Sequence, residues 1–403
     1  MRDAGLQGRR DLFQRKTRLE ERWRRGQHQK TSFQAHPHAV NGVKFLSTDH
    51  APQLPAPVAK DKRGRAKKDQ TKGAASDDAK PTSSMVLITW SDDHKIKIWQ
   101  SYATTSSASP SIECSLELSG HNSLVFTADS DGEIIVSGGI DERLIIWSMR
   151  DGQALDEISG VHSRGIEKLQ LHQHQVVTCG GNDATPKLWD IQTKQCTGSF
   201  LGHKGRVFTL AANFDDHLLV TAVLGMIPSL YLNPLYFCQK LMDMRTHECI
   251  LLVTNQSSKL DYNMNEVLRL DGRLLATGDS AGDVKMWDLR QVSQAGQEDF
   301  WLNPLTTYSH GDNNICGLWS DASKLVTVGS ENVLKFWELS KTSLSQPTHS
   351  KPFFELPAAS ARSLQGDERA LVYGARDGSV TILDFGGFVD ERKKKSRKEC
   401  VLQ

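Results

Sequence analysis

Along most of the chain, apolar and polar residues alternate in short runs separated by turns, the pattern of half-buried β-strands. Six stretches share one layout: a β-rich run, a turn with an acidic or small residue, and a second run closing on a bulky apolar residue. They are MVLITWSDDHKIKIW, ending at Trp99; IIVSGGIDERLIIW, at Trp147; VVTCGGNDATPKLWD, with Trp189; LLATGDSAGDVKMWD, with Trp287; KLVTVGSENVLKFWE, with Trp337; and ALVYGARDGSVTILD, with Leu383 in the Trp place. The turn residue (Asp93, Asp141, Asp183, Ala281, Glu331, Asp377) stands six residues before the closing one in every copy. Self-similarity of this kind predicts one repeat array in place of two or three separate domains.

Upstream of most runs, a small residue precedes a histidine: Ala35-His36, Gly120-His121, Val161-His162, Gly202-His203 and Ser309-His310. Together with the fixed Trp spacing, this resembles the WD40 repeat. The resemblance spans residues 30–387 and implies an all-β, seven-bladed WD40 β-propeller, a ring of four-stranded blades. In that family the His, a strand Ser or Thr, the turn Asp and the Trp form a buried hydrogen-bonded set. The second repeat matches with His121, Ser137, Asp141 and Trp147, and the third with His162, Thr178, Asp183 and Trp189. The fifth lacks both His and Asp, which implies a looser blade. Taken singly, such His/Asp pairs also have a catalytic or metal-binding reading; repeated around a ring, they read as structure. No nucleophile–base set, metal-ligand spacing or phosphate loop is present, so no catalytic residue, metal or cofactor is expected. The seven cysteines are scattered without a CxxC pair, which suits a reducing compartment.

The last repeat supplies three strands, and the fourth is expected from KTSFQ (Lys30–Gln34), just before the first blade. Such closure leaves no open sheet edge. Blade four is the irregular one. GHKGRVFTLAANFDDHLLVTA begins well, but VLGMIPSLYLNPLYFCQ follows, with two prolines, no charge and no alternation. KLMDMRTHECI then resembles a blade end, with Met242-Asp243 for Trp-Asp. Residues 223–239 are therefore read as an anomalous insertion, either a gene-model error (translated intron, or a lost exon) around Val223–Gln239 or a genuine apolar loop.

Three basic segments lie outside the repeat pattern. Residues 9–25, 47–84 and 388–403 together hold 22 Lys/Arg and 11 Asp/Glu, whereas the whole chain is only +1. The rest is therefore acidic, near −10. RRDLFQRKTRLEERWRRG predicts a helix within residues 1–29, with Leu12, Leu19 and Trp23 on one stripe and Gly26 ending it. Arg18-Leu19-Glu20, Trp23-Arg24 and Gly26 make this piece similar to the linker helix of F-box/WD proteins. In that family an F-box lies just upstream and binds a cullin-ligase adaptor; only eight residues precede the helix here, so the F-box was lost or Met1 is not the true start. Residues 47–84 interrupt blade one, and their Ala, Pro, Lys, Asp and Ser content predicts disorder. The run Lys60–Lys68 has a nuclear-localisation or phospholipid-binding reading beside that of a plain solvated loop. The tail ends in Cys400-Val401-Leu402-Gln403, a C-a-a-X pattern that makes Cys400 a lipidation candidate, with Lys393, Lys394, Lys395, Arg397 and Lys398 as a polybasic second signal.

In a propeller the turns between first and second strands (a–b) and between third and fourth (c–d) open on one face. The d–a and b–c turns open on the other. All three basic segments are expected on the first face, which is read as a membrane- or complex-docking face. The opposite face presents Asp92, Arg164, Glu167, Asn182, Arg206, Ser330 and Arg376. Guanidinium grips phosphate bidentately, but these arginines are few beside Asp92 and Glu167, so a mixed-charge peptide fits better than a phosphorylated one. The expected function is a protein-binding scaffold, the substrate-recognition part of an F-box/WD-type ubiquitin-ligase receptor; a prenylated, membrane-tethered scaffold is the alternative. Partners are then proteins or peptides, a cullin-ligase adaptor through an upstream F-box, and an anionic membrane through the tail. Nucleic acid is not expected, since the basic segments lack interleaved aromatics. The expected location is the cytoplasm, with the nucleus or a membrane surface as alternatives.

Overall fold

A computed structural model describes residues 14, 16–46, 83–102, 111–181, 183–203, 205–223, 238–254, 264–270, 274–279, 281–290, 304–311, 314–321, 323–339, 351–358 and 360–386. Its strands form seven antiparallel sheets of four strands each. Within a blade the strands follow chain order, as short alternating runs joined by tight turns dictate. The first strands, Val40–Leu46, Val125–Ser130, Ile166–His172, Val207–Asn213, Met264–Leu270, Ile315–Ser320 and Ala361–Gly366, each touch the next around a closed circle. They therefore line the centre, and the fourth strands form the rim. The molecule is a seven-bladed β-propeller with one short helix.

The seventh blade closes the ring as the alternation of KTSFQ implies. Gln29–Gln34 pairs antiparallel with Ser379–Asp384, from Gln29↔Asp384 to Gln34↔Ser379. Its residues alternate half-buried and exposed along the whole strand. Beyond it, the backbone amides of Ala35 and His36 both donate to Gly378 O, at 3.0 Å each. Gly378 has φ +85, and a Cβ there would fall 2.0 Å from His36 O. Only glycine fits that turn without strain.

Blade faces are apolar and must be covered. Among the described residues, each of the seven junctions between neighbouring blades holds one cluster of buried apolar side chains. Blade four is complete despite its irregular sequence. Leu218–Val223 pairs with Cys238–Asp243, and Leu219 faces Met242 just as Ile135 faces Trp147 in blade two. Met242 is fully buried. The strands reach Val223 and Cys238, so the insertion reduces to 224–237, which lies outside the described residues. So do 47–82, the tail 387–403, and Leu12; Ser83 and Ser84 open the strand Ser83–Ser91.

The helix spans residues 16–24, and Gly26, at φ +62, ends it. Trp23 is 1% exposed and enters the junction of blades six and seven. Its ring stacks on Phe385 at 3.6 Å and on Trp319 at 5.8 Å, while its indole N–H donates to Glu368 O at 3.0 Å. The Lys324 ammonium lies 4.6 Å from the same ring. Arg22 Nη1 donates to Phe385 O at 3.2 Å and Gly386 O at 2.8 Å. All these partners belong to a–b and c–d turns or the strand ends beside them, so the helix sits on that end of the propeller.

Truncating a buried tryptophan typically costs about 3–5 kcal/mol. Trp23→Ala is expected to lower the unfolding free energy by about that amount in urea titrations. Arg18→Ala, on the exposed side of the same helix, is expected to stay within about 0.5 kcal/mol. Equal effects from the two would contradict the clamp.

Candidate functional site

Blades one, two and three each contain a buried polar relay. In blade two, Trp147 Nε1 donates to Ser137 Oγ at 2.8 Å, which lies 2.8 Å from His121 Nε2; His121 Nδ1 lies 2.9 Å from Asp141 Oδ2. With donors assigned consistently, the indole feeds the hydroxyl, the hydroxyl feeds Nε2, and Nδ1–H feeds the carboxylate. Blade one repeats this through Trp99, Thr89, His36 and Asp93, and blade three through Trp189, Thr178, His162 and Asp183. Blade six keeps Trp337 and Thr327, and places Glu331 Oε1 2.9 Å from His310 Nδ1 without hydrogen-bond alignment. Blade five keeps Trp287 donating to Thr277, and Ala281 stands in its turn. Residues 255–263, where a histidine would stand, lie outside the described residues.

Blade four is the exception. His203 Nε2 meets Thr221 Oγ1 at 2.7 Å, but Nδ1 has no partner among the described residues, and Met242 offers no indole. Burial, reinforced by the nearby Lys240 charge, pushes the His203 pKa from 6.5 to about 3. In blade two, burial alone would raise the Asp141 pKa. The hydrogen bond and charge of His121, with help from Asn122 N and Arg143, outweigh it and bring the pKa to about 2. Asp93 and Asp183 are lowered for the same reasons. A further member, which the repeat reading missed, is a lysine on the third strand. Lys97 Nζ donates to Ala35 O at 2.9 Å and Lys187 Nζ to Val161 O at 2.7 Å, and Lys335 meets His310 O likewise. Its signal was in the sequence, a Lys four residues after the turn residue in blades one, three, five and six. In blades one to three these groups bond to one another and so hold the turns in place. Among the described residues no His, Cys, Asp or Glu cluster is arranged to hold a metal.

What the relays position is the mouth of the central channel. The first strand of every blade shifts register after its first residue, leaving one unpaired position per blade. These are Asn41, Phe126, Glu167, Phe208, Asn265, Cys316 and Arg362, all at the d–a end. Bulges redirect side chains beside functional sites. Here they knit blades together. Arg362 Nη1 donates to Asn41 Oδ1 at 2.8 Å and lies 3.7 Å from Asp92. Asn41 Nδ2 donates to Asp92 Oδ1 at 2.7 Å and to Val125 O at 2.9 Å. Glu167 pairs with Arg206, whose guanidinium lies 4.7 Å from the Phe208 ring.

Of the residues singled out from sequence on this face, Asp92, Glu167 and Arg206 are thus half-buried and paired. Arg164 is exposed, at φ 68, with its amide held by Glu142 Oε1 at 2.8 Å. Arg376 is exposed on the b–c turn of blade seven, and Ser330 lies on that of blade six. Asn182 and the tail residues, Cys400 among them, lie outside the described residues. Sequence reasoning missed Asn41, Phe126, Phe208, Cys316 and Arg362. Their signal was position: Asn41, Phe126, Glu167 and Phe208 each stand five residues after the relay histidine.

The family model described as WD domain, G-beta repeat matches residues 112–148, the segment carrying the complete relay of blade two. The chain carries a WD40 repeat. It is 24% identical over 213 residues to pre-mRNA-processing factor 19 of Oryza sativa subsp. japonica, covering 52% of this chain and 36% of that one. It is 25% identical over 238 residues to a guanine nucleotide-binding protein subunit beta of Oryza sativa subsp. indica, covering 55% and 58%. The chain thus spans between a third and three-fifths of these relatives' lengths. The crystal structure of the WD40 beta propeller domain of Doa1 superposes with a TM-score of 0.59 at 14% identity, over 90% of this chain and 97% of that one. That likeness confirms the propeller fold.

The relays give a pH dependence. Unfolded His203 accepts a proton below about pH 6.5, but the native site refuses it until about pH 3. Stability is therefore expected to fall as pH falls through that window. His310 is shifted in the same direction. Asp141 adds a second loss from 3.8 down to about 2. Stability measured against pH is expected to decline less steeply in His203→Gln across the upper window, with the lower one unchanged; superimposable curves would refute the assignment.

Proposed function

We propose that the propeller is a protein-interaction scaffold whose partners engage the channel-mouth end. We propose further that the chain is the substrate-recognition part of an F-box/WD-type ubiquitin-ligase receptor. The observation that carries the scaffold reading is the ring of bulge positions. Among the described side chains, Asn41, Phe126, Glu167, Phe208, Cys316 and Arg362 occupy bulge positions outside the strand ladder at one end, and the complete relays of blades one to three lie beside them. Function on this fold is argued from such a site and not from the fold itself. Asn41, Glu167, Arg206, Arg362 and the two phenylalanines offer hydrogen bonds, both charge signs and aromatic surface, the chemistry for a mixed-charge peptide. Asp92 and Glu167 neutralise two of the arginines, which argues against a dedicated phosphate pocket. The ligase reading is supported by the helix. Leu19 and Trp23 clamp it to the propeller directly before the closing strand, so any module ahead of it is carried at a fixed angle. The names of the curated relatives point to different assemblies, and neither one's role is carried over.

Proteins co-purifying with the wild-type chain are to be compared with those on Arg362→Ala/Arg376→Ala, which alters exposed side chains only. A subset is expected to fall about tenfold or more, as hot-spot losses do. An unchanged set would sink the proposed face. For the ligase reading, the full-length transcript is expected to extend upstream into an F-box and its product to bind the purified cullin-ligase adaptor. Failure of both ends that reading and leaves the scaffold standing.

A further inference from the structure

We propose that the mouth end of blade four binds one carboxylate of a partner polypeptide, an Asp or Glu side chain that enters beside His203 and Lys240 and completes the blade-four relay. This deepens the reading that partners engage the channel mouth, on which it rests. In blades three and six the turn carboxylate stands between a histidine and a lysine. Asp183 lies 2.8 Å from His162 Nδ1 and 3.1 Å from Lys187 Nζ, and Glu331 lies 2.9 Å from His310 Nδ1 and 3.1 Å from Lys335 Nζ. Blade four keeps both flanking groups in register. Lys240 faces Thr221 as Lys187 faces Thr178 and Lys335 faces Thr327, and His203 meets Thr221 as His162 meets Thr178.

The carboxylate itself has no counterpart in blade four. Residues 224–237, which join its second and third strands, contain no Asp or Glu. Among the described residues neither His203 Nδ1 nor the Lys240 ammonium has an acidic partner. Both residues are only 8% exposed, and a charge buried without a counter-ion is costly. With the Thr221 hydroxyl donating to Nε2, Nδ1 carries the proton. A carboxylate there accepts from Nδ1–H and offsets the ammonium, and such charge-assisted bonds are stronger inside a protein than in water. The ammonium lies against Gly202, where a Cβ would fall 2.6 Å from Nζ. Gly202 is exposed and Leu201 beside it is 70% exposed, so the approach has no side chain over the glycine and an apolar contact next to it. A carboxylate suits the position because Asp93, Asp141, Asp183 and Glu331 hold it in four other blades.

The test follows the imidazole NMR signal of His203, assigned by its loss in His203→Gln, in the full-length protein. The probes are sodium acetate against sodium chloride at equal ionic strength, and the capped peptide Ala-Ala-Asp-Ala-Ala against its Asn counterpart. Acetate and the Asp peptide are expected to move the signal, the Asp peptide binding about tenfold or more tightly than the Asn one. Lys240→Met keeps the length of the side chain, removes its charge and is expected to abolish both responses. It strands no partner, so it is expected to unfold in urea no earlier than wild type, whereas Lys187→Met strands Asp183 and is expected to unfold earlier. A Lys240→Met protein that unfolds well before wild type would mean that the ammonium is already paired, and would overturn the proposal. No response to either probe, or equal response to the Asp and Asn peptides, would overturn it too. Acetate binding without peptide binding would leave a small-ion site and end the partner claim. Failure of the wider mouth reading is separately visible, as an unchanged co-purifying set in Arg362→Ala/Arg376→Ala with the Asp-peptide response intact.

Discussion

Everything in this molecule depends on one antiparallel strand pair, Gln29–Gln34 on Ser379–Asp384. A propeller blade is stable only when both faces are covered, and blades one and seven can cover each other only if the ring closes. Without that pairing, two apolar faces and a strand edge would open to water. The seam is reinforced from both sides. Trp23 fills the junction before the closing strand, and the amides of Ala35 and His36 lock onto Gly378 just after it. His36 is itself a member of the blade-one relay, so the seam and the first relay form one hydrogen-bonded unit.

Relay completeness and apolar packing trade off around the ring. Blade two has every member and an Arg143 brace. Blade four has only the His203–Thr221 contact, yet its junction with blade three is filled by Phe200, Phe214, Met242 and Met244. Methionine adapts its shape to such gaps, and non-directional packing substitutes for a directional network there. Burial and the nearby Lys240 charge lower the His203 pKa, so this histidine stays neutral.

The fold was legible because a repeat states its pattern several times. Trp99, Trp147, Trp189, Trp287 and Trp337 at one spacing outweigh the noise in any single copy, and Leu383 and Met242 could be recognised as the other two closing residues because the register around them was already known. The closing strand was readable from the same logic, as the last repeat lacked a fourth strand and KTSFQ stood unassigned. The mouth was less legible. Asp92, Glu167 and Arg206 were found by assigning residues to turns, but a bulge leaves no mark in hydrophobic alternation until the ladder is drawn. Hence Asn41, Phe126 and Arg362 went unnoticed. That Asp92 and Glu167 are spent on neighbours was equally hidden, since pairing across blades joins residues such as Asn41 and Arg362, which are far apart in sequence.

The two ends of the propeller are electrostatically different objects. At the mouth, charges are matched: Arg362 with Asp92 and Arg206 with Glu167. Pairs that are half-buried and already satisfied contribute little long-range field, so recognition there rests on shape and short-range hydrogen bonds. At the helix end, Arg18 and Arg25 are exposed and have no acidic partner among the described residues. Unmatched charge acts over about 8–10 Å at physiological salt, a distance at which it steers an approach without selecting a sequence. A scaffold needs both properties, and separating them on opposite ends of a rigid ring lets each work without cancelling the other.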